Sequence, residues 1–230
     1  MNPLSSPLHA IHDAMAEACR RVGRCPDSVQ LLAVSKTQSA AIVDQAAMAG
    51  HTVFGENRVQ EARDKIALVK EKGLVWHLIG PLQRNKVKVA VGLFQMIQSV
   101  DSLELAQEIH RRMPPGKAMP ILIQVNVGGE VQKSGLAPGD LENILIAMAR
   151  LPGISIQGLM TVPPLFEDPQ ATRPYFRALA ALSRSMRALS IPGVSMDTLS
   201  MGMSHDFEVA IEEGATMVRV GSSLFGVRNG

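Results

Sequence analysis

Short runs of apolar and β-branched residues alternate with longer stretches of helical periodicity along almost the whole chain. The short runs predict strands over 29–34 (VQLLAV), 52–55 (TVFG), 75–80 (VWHLIG), 95–99 (QMIQS), 121–127 (ILIQVNV), 154–162 (ISIQGLMTV), 194–200 (VSMDTLS) and 216–221 (TMVRVG). Several are apolar throughout, as parallel strands covered on both faces are. Between them the spacing predicts helices over 39–49, 57–69, 82–91, 102–112, 141–150, 173–189 and 204–213, with Gly50, Gly73, Gly153 and Gly214 placed to end helices. An opening helix puts Leu8, Ile11, Met15, Ala18 and Val22 on one face. Ser6 is expected to cap it, Pro7 to take its first position, and Gly23 to stop it.

Eight strands alternating with helices allow a (β/α)8 barrel or an open doubly wound sheet. AVSKTQS follows the first strand where a dinucleotide-binding sheet would carry a glycine-rich turn, which weakens the open-sheet reading. The chain has 230 residues, close to the roughly 250 typical of a barrel, and shows neither a linker nor low-complexity sequence. The expected fold is therefore α/β, a single (β/α)8 TIM barrel over residues 1–230 with an additional N-terminal helix.

Composition narrows the partners. Apolar residues make up 46% and charged residues 19%, which excludes a disordered or collagen-like chain. The net charge of +2 gives no general attraction to a polyanion, so an anion site must be local. Aromatics at 3% leave few stacking platforms, arguing against single-stranded nucleic acid. No apolar run approaches a membrane span, and the N-terminus lacks the apolar core of a signal peptide, so a cytoplasmic protein is expected. Cys19 and Cys25 read as small, half-buried thiols in a reducing compartment. His9, His12, His51 and His110 show no metal-ligand spacing, and no metal site is expected.

Barrel chemistry collects at the C-terminal ends of the strands. Those positions carry Ser35 and Lys36, Glu56 and Asn57, His77, Asn126, Met160 and Thr161, Ser200, and Arg219 through Ser222. A lysine leaving an apolar strand is partly desolvated, which favours the neutral amine a Schiff base needs. The last two loops hold Gly202, Ser204, Gly221 and Ser222, a glycine and hydroxyl set suited to phosphate. Alternatively Ser204 caps a helix opening at His205, and Asn57 with Gln60 forms a capping box. Ser204, His205 and Asp206 are not read as a hydrolytic triad, because consecutive helical residues diverge by about 100°. His77 suits packing and ligand contact equally. Arg84, Lys86 and Lys88 read as a solvated face, and Met201 and Met203 as packing at the mouth.

The segments LLAVSKTQ, VFGENRVQEARDK, WHLIGPLQRNK, QSVDS, VNVGGEVQKSG, GLMT and LSMGMSHDFEVAIEEGATMVRVGSSLFG cover nearly the whole chain. In these segments the sequence resembles the YggS/PROSC family of pyridoxal phosphate homeostasis proteins. The resemblance implies a fold-type III barrel like the N-terminal domain of alanine racemase, with pyridoxal 5′-phosphate held as an aldimine on Lys36. It further implies Arg219 facing the pyridine nitrogen, Gly202, Ser204, Gly221 and Ser222 around the phosphate, and Asn57, Ser200 and His77 as neighbours of the ring.

Two functions compete. One is a cofactor carrier in vitamin B6 and amino-acid homeostasis, a monomer that hands its cargo to apo enzymes dependent on it. The other is a racemase-like enzyme using the ring as electron sink. Arginine at the ring nitrogen weakens the sink, because it cannot accept that proton, although related racemases also place arginine there. Such racemases add a tyrosine base from a partner subunit and a closing domain. Here the chain ends about where the barrel should, and Tyr175 is expected far from any strand end. Both features favour the carrier. A protein-interaction module that also binds the cofactor stays open.

Overall fold

The computed structural model describes residues 2–130, 132 and 134–226. Part of the VNVGGEVQKSG segment (Val131 and Lys133), with Met1 and 227–230, lies outside the described residues. Eight parallel strands close into a barrel in sequence order, β8 pairing with β1. They are β1 (Gln30–Val34), β2 (Val53–Glu56), β3 (Val75–Leu78), β4 (Met96–Val100), β5 (Met119–Gln124), β6 (Ile154–Met160), β7 (Val194–Met203) and β8 (Met217–Val220). The helices are α1 (Ser5–Arg21), α2 (Ala40–Met48), α3 (Val59–Ile66), α4 (Val87–Leu93), α5 (Leu103–Arg112), α6 (Leu141–Met148), α7 (Arg173–Ala188), α8 (Phe207–Glu212) and α9 (Ser222–Phe225). No helix among the described residues is long and apolar enough to cross a membrane.

Alternation along β1 shows how the two layers divide. Leu31 and Ala33 join the large core between strands and helices, while Leu32 and Val34 pack with Met217 in a separate cluster. Side chains alternate across a strand, so the second set lies inside the barrel. α1 buries Leu8, Ile11, Met15 and Ala18 and lies against α8. Arg21 donates to Glu208 at 2.8 Å and Glu212 at 2.7 Å, and Arg24 to the Ile211 carbonyl at 2.7 Å. These contacts fix the helix that follows the β7 loop.

Three expected caps form differently. Leu4, not Ser6, stands at the α1 N-cap, so Pro7 falls inside the first turn, where its missing N–H costs little. α3 begins at Val59 with Arg58 before it, so Asn57 and Gln60 make no capping box. α8 begins at Phe207, and Ser204 lies in the preceding turn. Gly23, at φ +68°, does end α1. Cys19 is fully buried and Cys25 exposed, rather than both half-buried.

Candidate functional site

A cavity of about 530 Å³ opens at the C-terminal ends of β1, β2, β3, β6, β7 and β8. Lys36, Asn57, Ser204, Arg219, Gly221 and Ser222 of the expected site residues line it together. Its apolar wall is built from Val34, Ile79, Val162, Leu165 and Met203. His77, Ser200 and Gly202 are not brought to this wall, although their placement had been expected at the mouth.

Lys36 is half-buried, two residues beyond the end of β1. Thr37 behind it has φ +66°, a conformation that costs a β-branched residue energy. Asn57 reaches the cavity because its backbone passes against Gly80. A Cβ at Gly80 would lie 2.2 Å from the Asn57 carbonyl oxygen, so only glycine admits this approach.

Between Ser200 and Met203, β7 spends three steps where β8 takes two from Met217 to Arg219. This bulge sits at Gly202, whose φ is +89°. Gly202 is buried beneath α8, where a Cβ would meet that of Ala210 at 2.6 Å. Its work is to aim the strand end, and Met203 and Ser204 enter the cavity as a result. The Ser204 hydroxyl oxygen accepts from the amides of Gly221 at 3.1 Å and Ser223 at 3.4 Å. Two backbone donors from the loop after β8 therefore converge beside the cavity.

Arg219 is buried yet edges the cavity. It donates to Ser200 Oγ and to the Thr161 carbonyl, each at 2.8 Å. Ser200 donates to Gln98 Oε1 at 2.6 Å, and Gln98 Nε2 donates to His77 Nδ1 at 2.9 Å. Ser200, Gln98 and His77 thus form a polar chain across the barrel interior that holds the guanidinium from behind. Burial lowers the Arg219 pKa to about 10, opposed by the charge of Asp206, so it stays cationic at neutral pH. Burial pushes the Asp206 carboxyl up, against the Met203 N–H bond and the Arg219 charge. Gln98 is the member of this chain that sequence reasoning missed; a polar residue inside an apolar strand was its only signal.

Burial also lowers the His77 pKa to about 4. The folded protein disfavours its cation, so His77 supports stability fully above the unfolded pKa of about 6.5 and progressively less as pH falls toward 4. The interval corresponds to an order of 3 kcal/mol. His77→Asn, which keeps an acceptor near Nδ1, should flatten urea-unfolding stability between pH 6.5 and 4. An unchanged slope would assign the acid sensitivity elsewhere.

Ser204, His205 and Asp206 send their side chains to three different partners. His205 meets the Glu167 carbonyl at 2.9 Å, and Asp206 accepts from Met203 N at 2.7 Å. They form no relay, though the reason is this divergence in a turn rather than helical spacing. Tyr175, expected far from any strand end, has its contacts in the loops beyond β5 and β6. At the start of α7 its ring packs on Phe166 at 5.7 Å and lies beside Gly128, in the loops after β6 and β5. Arg84, Lys86 and Lys88 are exposed, and Met201 is buried.

Eight parallel strands closed into one ring, with a cavity at their C-terminal ends, define a (β/α)8 barrel. The family model for the alanine racemase N-terminal domain matches residues 10–229. The alanine racemase of Corynebacterium glutamicum shares this fold at a TM-score of 0.66 and 19% identity, over 94% of this chain and 61% of that one. Much nearer is the pyridoxal phosphate homeostasis protein of Aquifex aeolicus, 44% identical over 222 residues, 96% of each chain. Its Escherichia coli K12 counterpart is 37% identical over 233 residues, covering 100% of this chain and 98% of that one. PipY of Synechococcus elongatus PCC7942, solved with PLP bound, has a TM-score of 0.81 and 39% identity over 92% of this chain and 100% of that one. The chain belongs to the pyridoxal phosphate homeostasis protein family.

Proposed function

We propose that this protein binds pyridoxal 5′-phosphate covalently through Lys36 and serves vitamin B6 and amino-acid homeostasis by holding and releasing it, without turnover of its own. The observation that carries this reading is the placement of Lys36 in one cavity with Arg219, Ser204, Gly221 and Ser222. The donor set fits the group. An amine suits the aldehyde, with loss of water, and the Ser204 and Ser222 hydroxyls beside Gly221 suit a phosphate. The buried guanidinium suits the ring nitrogen, and the apolar wall suits the ring faces. When bound, the cofactor supplies an electrophilic aldehyde conjugated to an electron-accepting ring.

Arg219 favours a carrier over a racemase-like enzyme. It can donate to the ring nitrogen but cannot accept its proton. Tyr175, turned toward Phe166, is not positioned as a base in the cavity. Asn57 is read as a ring neighbour, while His77, Ser200 and Gly202 act indirectly, by holding Arg219 and shaping β7. Residues 1–230 are read as one domain, a cytoplasmic monomer whose partners are apo enzymes that need the cofactor.

Borohydride reduction of the loaded protein should fix one pyridoxyl phosphate on Lys36, read by peptide mass. Pyridoxal should bind at least about tenfold more weakly than its phosphate, since a charge-assisted hydrogen bond contributes about 1.5–3 kcal/mol. Equal affinity would remove the β8 loop from the site. Deuterium exchange into D- and L-amino acids, followed by NMR, should show no Lys36-dependent turnover. Sustained turnover would favour the racemase-like alternative.

A further inference from the structure

Directly outside the cavity lies a buried ionic cluster that the reading above does not use. The Lys65 side chain is 5% exposed and Glu56 is fully buried. Lys65 Nζ donates to the Ser35 carbonyl at 2.6 Å, to Glu56 Oε1 at 2.7 Å and to Glu61 Oε1 at 3.1 Å. These three acceptors match the three protons of an ammonium group. Ser35 Oγ also donates to Glu56 Oε1 at 2.6 Å, and the Thr37 amide donates to Glu61 Oε1 at 2.5 Å. The residues before and after Lys36 are thus tied to the same cation.

We propose that Glu61 and Lys65 are positioning residues for Lys36, clamping Ser35 and Thr37 so that the lysine leaves β1 in one fixed direction. The proposal rests on the reading of Lys36 as the cofactor lysine. Three features carry it. Thr37 is held at φ +66°, a strained conformation that persists only where surrounding contacts impose it, and its amide is bound by Glu61. None of Glu56, Glu61 and Lys65 lines the cavity, so the cluster acts through the backbone of Lys36 rather than on a ligand. Burying such ions is poor value for stability, since apolar residues of similar volume commonly serve as well or better. Burial alone would raise the Glu61 carboxyl, but the Thr37 amide and Lys65 outweigh it and hold it low, as expected of an engaged acceptor.

Glu61→Ala and Glu61→Gln on the full chain test this, because Glu61 is the least buried member and glutamine keeps an acceptor oxygen. Cofactor release from the loaded protein should be about tenfold faster or more in Glu61→Ala, the factor expected for one lost charge-assisted bond. Glu61→Gln should stay within about twofold of wild type by the same reckoning. The pH midpoint of the bound cofactor's absorbance should shift in Glu61→Ala and return in Glu61→Gln, which a merely structural role would not produce. Amide exchange at Thr37 in the cofactor-free protein should accelerate in Glu61→Ala alone. A wild-type borohydride label away from Lys36 would overturn the assignment of the lysine itself. A label on Lys36, with Glu61→Ala matching wild type in release and midpoint, would overturn the positioning role alone.

Discussion

Lys36→Ala should abolish the borohydride-fixed label while leaving the barrel folded. Lys36 is half-buried beyond the end of β1, outside the β1 ladder, so its removal leaves the strand pairing intact. The amine has no substitute at that place. Arg219, also on the cavity wall, keeps its proton, and Lys65 has its Nζ committed to three acceptors. The phosphate and ring contacts survive the substitution. Residual binding of pyridoxal phosphate should therefore be reversible, lost on gel filtration, and still stronger than that of pyridoxal. Peptide mass after reduction and urea unfolding measure the two halves of this expectation. An undiminished label in the variant would assign the covalent site to another lysine.

Lys65→Ala should be the most damaging single change for stability. Removing one partner of a buried ion pair leaves the other charge uncompensated, typically at a cost of about 3–5 kcal/mol. In a chain of this size that corresponds to a fall in Tm of roughly 6–20 °C. Glu56 is the group left exposed to this penalty, with one carboxylate oxygen already lacking a partner. Burial pushes the Glu56 carboxyl up even with Lys65 and Ser35 opposing it. Without the lysine, protonation becomes the relief, so the stability deficit should be smaller in acid than at neutral pH. Combining Lys65→Met with Glu56→Leu should restore much of the lost stability, because both ions then leave together. A deficit for Lys65→Ala below about 1 kcal/mol, independent of pH, would show that water reaches the cluster.

The alternation of the chain was enough to reach the barrel. Eight apolar, β-branched runs separated by helical stretches leave few arrangements in which every strand is covered on both faces. Seven helix ranges held with shifts at the ends, the largest at 82–91, where α4 begins only at Val87, and another at 204–213. There the structure spends Met203 to Asp206 on a turn before α8, since Asp206 takes the Met203 amide. Asn57 and Ser204 look like helix caps by spacing alone. Both instead sit in loops held by partners distant in sequence, Gly80 and the amides of Gly221 and Ser223. Local propensity cannot register contacts of that range.

The sequence by itself determined which residues stand at the mouth-side strand ends, because strand order in the barrel follows chain order and every C-terminal end points to one mouth. Lys36, Arg219, Ser204, Gly221 and Ser222 were therefore legible as neighbours at one cavity. What lies on the wall and what lies beneath it was decided only by the tertiary structure. Ser200, Gly202 and His77 stand close in sequence to strand ends, yet the bulge in β7 and the alternation along the strands turn them inward or under α8. The pairing of Glu56 and Glu61 with Lys65 was equally out of reach. It depends on α3 folding back over the β1 and β2 ends, where exclusion of water makes an ion pair's geometry matter. A one-dimensional pattern specifies faces and ends. The depth of a side chain below the mouth depends on strand register and on which helix lies over it, and these exist only once the barrel has closed.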